Sequence, residues 1–326
     1  MKAIVCTRYG PPDILQLKEV DKPVPNDDEV LVRVYAATVN RTDCANLRAK
    51  PFFMRLVIGL FKPKKEVPGT EFAGVIEAVG KRISSLKAGE KVFGFDDEGS
   101  GSQAEYLTIR EDKVVTMPDG IGFEQAAASS EGVHYAYNFI NKVNVEKGQN
   151  ILVNGATGAI GSAAVQLLKY LEVNVTAVCA TKNIELVKSL GANKVIDYTK
   201  EDFTEDGQKY SYVFDTAGKS SFFKCRKLLD PGGVYISSDL GYMAQNMYLP
   251  FITPIIKPLF GNRKTIFPVP VDIKGSLTLV KNRIQQGKFK AVIDRSFALE
   301  KIVDAYRYVE TGEKTGNVVI TIDNDT

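Results

Sequence analysis

The residues with the clearest chemical use are NGATGAIG at positions 154–161, a glycine-rich turn between an apolar run and a helical run. Where a strand enters a helix through such a turn, backbone N–H groups and the helix dipole bind a pyrophosphate. Gly158 leaves room for the phosphate, and Gly161 lets the helix pack closely on the strand. We therefore predict a dinucleotide site whose turn consists of Ala156, Thr157, Gly158, Ala159, Ile160 and Gly161. The alternative is a purely structural turn in an α/β domain that binds no cofactor.

The second strand of the same region indicates which dinucleotide to expect. NAD sites place an Asp or Glu at the end of this strand, about 20 residues beyond the first glycine, where it binds the ribose hydroxyls. Residues 176–183 read TAVCATKN and contain no acid. A hydroxyl and a cation suit the 2′-phosphate of NADPH, so we predict NADPH, with Thr181, Lys182 and Tyr198 beside that phosphate. The alternatives are a solvated lysine at a helix start and a buried tyrosine at a sheet edge.

Histidine and cysteine are too few or too widely spaced for most metal chemistry. His134 is the only histidine among 326 residues, so no site with two histidine ligands can form within the chain. A Ser-His-Asp triad would have to use His134. The cysteines stand at positions 6, 44, 179 and 225, with neither CxxC nor zinc-clip spacing, so we expect reduced thiols in the cytoplasm. A net charge of +3 is too balanced to indicate nucleic-acid binding.

One apolar stretch, residues 247–260, raises the question of membrane contact. Three prolines and Lys257 interrupt the stretch, and its length of 14 residues is too short for a helical span. We therefore expect no membrane span and interpret the stretch as a loop with a short helical turn that covers a pocket or an interface. Shallow membrane contact is the alternative. The apolar N-terminus is too short for a signal peptide.

The elements that must position these residues follow two patterns. The first 120 residues alternate short apolar runs with turns, as in residues 29–36 with their period of two, and predict a small β-barrel. From residue 122 onward, strands and amphipathic helices alternate strictly, which is typical of a doubly wound parallel sheet. The tail is mixed and ends in a strand. We therefore predict an α/β fold with a cleft between a barrel domain (1–121 and 269–326) and a dinucleotide-binding domain (122–268).

Ordered sequence blocks along nearly the whole chain resemble the medium-chain dehydrogenase/reductase superfamily, in its zinc-free quinone-oxidoreductase-like branch. The blocks are PGTEFAGVIEAVG at 68–80, GEKVFG at 89–94, AAA at 126–128, the glycine turn, SLGANKVIDY at 189–198, VFDTAG at 213–218 and LDPGG at 229–233. The resemblance implies a GroES-like barrel domain, a Rossmann domain, and a nicotinamide held in the cleft between them.

The resemblance also implies that no metal is bound. Zinc-dependent members place a cysteine where Asn40 stands, a histidine where Thr70 stands, and a further ligand near Ser130. The cysteine-rich lobe that holds structural zinc is missing, since residues 96–106 read DDEGSGSQAEY. Without a Lewis acid a plain carbonyl is hard to polarise. A quinone or an α,β-unsaturated carbonyl needs less polarisation, because the charge that hydride addition develops spreads onto a distant oxygen.

By the same resemblance, several residues are expected at the nicotinamide. Asn40 is expected as a polar contact, and His134 takes a position where relatives usually carry a threonine facing the nicotinamide. His134 either donates a proton or holds the carboxamide there, or it packs beneath the cofactor; Glu131 is a weaker candidate of the same kind. The remaining contacts implied are Asp215, Thr216 and Ala217 beside the nicotinamide ribose, and Gly316 and Asn317 near the C-terminus.

These expectations combine into one leading hypothesis, an NADPH-dependent oxidoreductase that transfers hydride to a small quinone or enone. Two alternatives stay open: a 2-enoyl thioester reductase, and a non-catalytic NADPH-binding regulatory protein. We expect the lining of the substrate pocket to come from residues 51–65 and 242–270. A homodimer is a further expectation, because members of the family are commonly dimers.

Overall fold

The computed structural model of the chain describes residues 1–241, 244–253, 261–269 and 271–323. In chain order its strands are β1 (Lys2–Val5), β2 (Gln16–Glu19), β3 (Glu29–Val39), β4 (Glu71–Val79), β5 (Lys91–Phe95), β6 (Tyr106–Arg110), β7 (Val114–Thr116), β8 (Asn150–Asn154), β9 (Asn174–Cys179), β10 (Lys194–Asp197), β11 (Tyr210–Asp215), β12 (Leu229–Ser237), β13 (Lys264–Ile266), β14 (Ile293–Ala298) and β15 (Asn317–Thr321). The helices are α1 (Arg41–Arg48), α2 (Arg55–Ile58), α3 (Phe123–Ala127), α4 (Glu131–Asn141), α5 (Ala159–Lys169), α6 (Ile184–Leu190), α7 (Phe222–Cys225), α8 (Gln245–Ile252), α9 (Ile273–Gln285) and α10 (Ile302–Thr311).

The chain forms two compact units. The first, the barrel unit, contains Met1–Glu131 and Asp272–Thr326, and the second, the sheet unit, contains Gly132–Val271. The sequence placed the first boundary after residue 121, whereas the barrel unit continues to Glu131. The reason is that α3 packs on β3 and β4 and is therefore part of the barrel.

The long strand β3 organises the barrel unit. It pairs antiparallel with β4, with β6 and with β15, and it alternates the buried valines Val30, Val32 and Val34 with more exposed positions. These valines belong to one apolar cluster with Phe72 of β4 and Tyr306 of α10. One face of β3 is packed in this core, which explains why its sequence alternates with a period of two. The predicted β-barrel domain is confirmed.

The sheet unit has the strand order of a dinucleotide-binding fold. In the described part of the chain its strands are all parallel and follow the order β10-β9-β8-β11-β12-β13. Strand order reverses between β8 and β11, and ligands of such sheets bind at the carboxyl ends of the strands beside this reversal. The predicted doubly wound sheet is confirmed. The short β13 extends it by one strand that the sequence pattern did not predict.

Only the first part of the apolar stretch 247–260 lies among the residues that the structure describes. Its first part belongs to α8, which contains Pro250, while residues 254–260 lie outside the described residues, as do 242–243 and 270 of the expected pocket lining. Among the helices that are described, none is long and apolar enough to cross a membrane.

Candidate active site

The glycine turn of the sheet unit is packed so tightly that two of its glycines admit no side chain. Gly155 has a φ of +80°, and a Cβ there would lie 2.7 Å from the Cβ of Ala217. A Cβ on Gly161 would lie 2.2 Å from the carbonyl oxygen of Gly155 and 2.8 Å from Oγ1 of Thr216. Gly161 therefore lets α5 start directly against the turn, as expected for the third glycine of such a motif.

Gly158 has the opposite environment. It precedes α5 as the N-cap residue, its φ is −71°, and no side chain caps the helix. A Cβ on Gly158 would meet only the carbonyl oxygen of Gly155, at 3.7 Å. The first N–H groups of a helix have no intrahelical acceptor, and here the space beside them is left open. This arrangement fits a pyrophosphate.

The loop after β11 holds the turn in place. Asp215 is fully buried, and its carboxylate accepts hydrogen bonds from Nδ2 of Asn154 at 2.9 Å, the N–H of Gly218 at 3.1 Å and Oη of Tyr235 at 2.7 Å. The hydroxyl of Thr216 donates to the carbonyl of Asn154 at 2.8 Å. Asp215 and Thr216 thus fix the loop against β8, and the oxygens of Asp215 are largely used by the protein itself.

An acid that the sequence reading missed lies next to the second strand. Asp197 ends β10, which pairs with β9, and its carboxylate accepts from Oγ1 of Thr181 at 2.5 Å and from Oγ1 and N–H of Thr199 at 2.7 and 3.0 Å. The hydrogen bond from Thr181 is the main reason why the pKa of Asp197 is lowered. The predicted phosphate contacts Lys182 and Tyr198 are exposed, Tyr198 to 59%.

In the barrel unit, Asn40 starts α1. Its Oδ1 accepts the N–H of Asp43 at 2.9 Å, while its own N–H donates to Oδ2 of Asp43 at 3.0 Å. This reciprocal capping box fixes the side chain of Asn40 and leaves only its NH₂ group for other partners.

The NH₂ group of Asn40 lies in a cluster of buried carboxyl groups. It donates to Oγ1 of Thr70 at 2.8 Å, contacts Oε2 of Glu71 at 3.4 Å and donates to Oε2 of Glu131. The N–H of Glu131 donates to Oε1 of Glu71 at 2.7 Å, and the hydroxyl of Thr42 donates to Oε1 of Glu131 at 2.7 Å. We call Asn40, Glu71 and Glu131 the carboxyl cluster.

Burial controls the protonation of this cluster. It raises the pKa of Glu131 well above the ordinary value, and the charge of Glu71 raises it further. Burial also raises the pKa of Glu71, against hydrogen bonds that lower it, and raises the pKa of Asp43 to about 8. Two carboxylates in one buried network cannot both ionise at low cost. The buried environment therefore favours a proton shared within the cluster.

Lys314 is a cation whose charge interacts with these carboxyl groups. Its Nζ donates to the carbonyl of Gly316 at 2.5 Å. Burial lowers its pKa, while the charges of Glu131 and Glu71 act in the opposite direction. Neither Lys314 nor Glu71 was predicted from the sequence. Glu71 follows Thr70 directly, but nothing in that neighbourhood indicates that its side chain is buried.

The other predicted residues have these positions. His134 is fully buried in the sheet unit, in α4, with its carbonyl accepting Nδ2 of Asn138 at 2.8 Å and its ring edge-on to Tyr135. In the barrel unit, a Cβ on Gly316 would lie 2.1 Å from the carbonyl oxygen of Val292, and Nδ2 of Asn317 donates to that oxygen at 3.1 Å. Among the residues that are described, no group of three or more His, Cys, Asp or Glu is arranged to hold a metal ion.

Family models and known proteins match most of the chain. Residues 26–119 match the model described as alcohol dehydrogenase GroES-like domain, and residues 190–320 match the one described as zinc-binding dehydrogenase. The chain is 34% identical to a 2-methylene-furan-3-one reductase of Solanum lycopersicum, over 98% of this chain and 79% of the relative. It is 32% identical, over the same shares, to a chloroplastic NADPH-dependent alkenal/one oxidoreductase of Arabidopsis thaliana.

A solved structure agrees along the full length. The quinone oxidoreductase from Coxiella burnetii superimposes with a TM-score of 0.87, at 23% identity, and the match covers 99% of each chain. At this identity the likeness concerns the fold.

Proposed function

The chain belongs to the medium-chain dehydrogenase/reductase superfamily, in its quinone-oxidoreductase-like branch, and from this premise we propose that it reduces an enone or a quinone with NADPH. The observation that carries the proposal is the open space beside Gly158 at the start of α5, which fits the pyrophosphate of a dinucleotide. The two relatives above are named for enone-type substrates, and one of them for NADPH.

The sheet unit contains the residues that would hold NADPH. Backbone N–H groups of the turn from Thr157 to Gly161 would bind the pyrophosphate. Lys182 and Tyr198, both exposed, would bind the 2′-phosphate. The nearby carboxylate of Asp197 accepts hydrogen bonds from Thr181 and Thr199, which disperse part of its negative charge. When bound, NADPH supplies the hydride.

Reduction of an enone consumes a hydride and a proton. A C–H bond forms at the β-carbon, the electrons of the C=C bond move toward the carbonyl oxygen, and a proton then completes the α-carbon. Burial raises the pKa of both Glu131 and Glu71, which favours a proton within the carboxyl cluster, and Nδ2 of Asn40 donates to Glu131 and contacts Glu71. We propose that this cluster supplies the proton and that Asn40 is the polar contact of the substrate.

For His134 we propose packing as its main role. The ring is completely buried, and the helix that carries it is bonded through Asn138 to Val271. The edge-on packing of the ring against Tyr135 is the contact that supports this role.

The test is an assay of NADPH oxidation against a panel of quinones, enones and 2-enoyl thioesters. Turnover with enones or quinones at rates well above those with thioesters supports the proposal. Faster turnover with thioesters would favour the thioester reductase. Saturable NADPH binding with flat absorbance across the panel would contradict both and leave the non-catalytic alternative.

We also propose a cytoplasmic location and a homodimer. The four cysteines are free thiols, and three of them are buried, as suits a reducing compartment. Size-exclusion chromatography with light scattering tests the homodimer, and fractionation of the source cells tests the location.

A further inference from the structure

The barrel unit exposes a segment that combines large apolar side chains with positive charge. Residues 50–65 read KPFFMRLVIGLFKPKK and contain five cations, and no Asp or Glu occurs between Asp43 and Glu66. We call residues 50–65 the basic apolar segment. Its side chains at Phe52, Leu56 and Phe61 are 73%, 75% and 87% exposed.

Four of the exposed apolar side chains of this segment form two pairs along a helical stretch. Phe52 and Leu56 are four residues apart on consecutive helical turns, and Phe53 and Val57 repeat that spacing, which places each pair on the same side. Phe53, Val57 and Leu60 are also among the exposed apolar residues. Contiguous exposed apolar surface of this kind indicates an interaction site.

The segment has a defined conformation, in which its apolar side chains point outward. The hydroxyl of Tyr9 donates to the carbonyl of Gly59 at 2.7 Å. The guanidinium of Arg55 stacks on the rings of Tyr9 and Phe52, at 5.0 and 4.9 Å from their centroids. The N–H of Lys64 donates to the carbonyl of Ile58 at 2.8 Å. These contacts fix the backbone without covering the apolar side chains.

The charge of the segment distinguishes it from another exposed apolar group. Helix α8 also exposes large apolar residues, among them Phe251, but residues 244–253 contain no charged residue. In the basic apolar segment, Lys62 and Lys65 are within 3.2 and 3.7 Å of Glu66 and Asp96. Both lysine side chains are more than half exposed, so these pairs are weak. The segment therefore stays electropositive.

We infer that the basic apolar segment docks the protein on an anionic lipid surface. Apolar and aromatic side chains flanked by lysines bind at the boundary between headgroups and acyl chains, and the lysines are attracted by anionic headgroups. The positive charge of the segment complements an anionic lipid surface, whereas the identical segment of a second copy of the chain would repel it. The inference is independent of the proposed function, because binding to lipid needs neither NADPH nor substrate.

The first test uses vesicle sedimentation with the full chain. We expect the protein to sediment with phosphatidylcholine vesicles that contain phosphatidylserine, and much less with phosphatidylcholine alone or at high salt. Lys62→Gln combined with Lys64→Gln should weaken binding by about 25-fold, since each lysine contributes about fivefold near the surface. Leu56→Ser and Phe61→Ser each weaken it by about tenfold. Lys87→Gln and Val24→Ser, at exposed sites outside the segment, leave binding unchanged.

The second test exploits the absence of tryptophan from the chain. Phe61→Trp introduces a single tryptophan, which can be excited selectively, and its emission should shift to the blue when anionic vesicles are added. Val24→Trp, at a site that is 84% exposed, should show no shift. Three results would overturn the inference. They are equal binding to neutral and anionic vesicles, variants that bind like the parent, and a dimer that the segment variants dissociate in the absence of lipid. A change in KM for substrate without a change in vesicle binding would assign the segment to the substrate pocket instead.

Discussion

The glycine turn and the carboxyl cluster are built in opposite ways. The turn offers backbone N–H groups and empty space, and its specificity comes from side chains that are missing, at Gly155, Gly158 and Gly161. The carboxyl cluster offers side chains that are buried and hydrogen-bonded, contributed by the start of α1, the start of β4 and the start of α4. A backbone site tolerates no added atom, whereas a side-chain site depends on which protons and charges its groups carry.

The largest effect on cofactor binding is expected where the turn is tightest. Gly161→Ala places a Cβ within 2.2 Å of the carbonyl oxygen of Gly155, so we expect a loss of about 1–3 kcal/mol in the free energy of unfolding and loss of NADPH binding. Gly158→Ala is the matched control for folding, because its Cβ meets nothing closer than 3.7 Å. It should unfold like the parent and still bind NADPH more weakly. Denaturant titration and cofactor titration separate the two effects, and equal stability of both variants would contradict the packing argument.

The buried carboxyl group of Asp43, beside the carboxyl cluster, should make the stability of the protein depend on pH. Burial raises the pKa of Asp43 from an ordinary 3.8 to about 8. The folded protein then keeps a proton that the unfolded chain releases above about pH 4. The free energy of unfolding should therefore fall as the pH rises from about 4 to about 8, by up to about 1.4 kcal/mol for each pH unit.

Asp43→Asn is the variant that isolates this contribution. The amide is neutral at every pH and can still accept the N–H of Asn40, so its unfolding free energy should fall less steeply than that of the parent. Urea unfolding at intervals between pH 5 and pH 8 measures both slopes. Parallel slopes would show that Asp43 is ionised in the folded protein.

A change of one proton site should affect turnover more than folding. Glu131→Gln keeps the shape of the side chain but removes its proton, so we expect kcat to fall about 100-fold while NADPH affinity is unchanged. Glu98→Gln, at an exposed carboxylate of the same unit, is the control and should keep full activity. Steady-state kinetics on the best substrate of the panel measure kcat for both variants and the parent. Undiminished kcat in Glu131→Gln would assign proton delivery to another group or to water.

A smaller effect is expected at the exposed end of the cofactor site. Lys182→Glu should lower the affinity for NADPH by about tenfold, as expected for loss of one charge-assisted contact. The affinity for NADH should stay nearly unchanged. Lys188→Glu, on the following helix α6, reverses an exposed lysine outside the site and should change neither affinity. Isothermal titration with both cofactors measures this, and equal weakening of NADPH and NADH would rule out the phosphate contact.

The smallest effect on turnover is expected at the only histidine. His134→Thr removes a fully buried ring and should cost about 2–4 kcal/mol of stability through the cavity it leaves, with kcat within about threefold of the parent. A drop in kcat comparable to that of Glu131→Gln would instead give His134 a role in proton transfer.

The same contrast explains what the sequence could predict. The glycine turn is a run of consecutive residues, so its local pattern determines both the turn and its use. The alternation of strands and helices likewise follows from local periodicity. The strand β13 was missed because it is three residues long and is followed closely by prolines, which gives no period to detect.

The carboxyl cluster could be predicted only in part. Asn40 was expected from the family resemblance and Glu131 was a weaker candidate, but Glu71 and Glu131 are 31 and 91 residues away from Asn40 and meet it only in the folded barrel unit. A sequence gives no sign that a glutamate is buried, and burial is what raises the pKa of both. Asp197 was missed for a related reason: the acid was sought at the end of β9, and it stands at the end of the neighbouring β10.

The most direct test of hydride transfer by this chain uses NADPH that carries deuterium at both positions of nicotinamide C4. The purified protein is incubated with this cofactor and the best enone of the panel, and the product is analysed by mass spectrometry and NMR. The proposed function predicts one deuterium at the carbon β to the carbonyl and a proton from solvent at the α-carbon. A product without deuterium, or NADPH that binds and is never consumed, would contradict it.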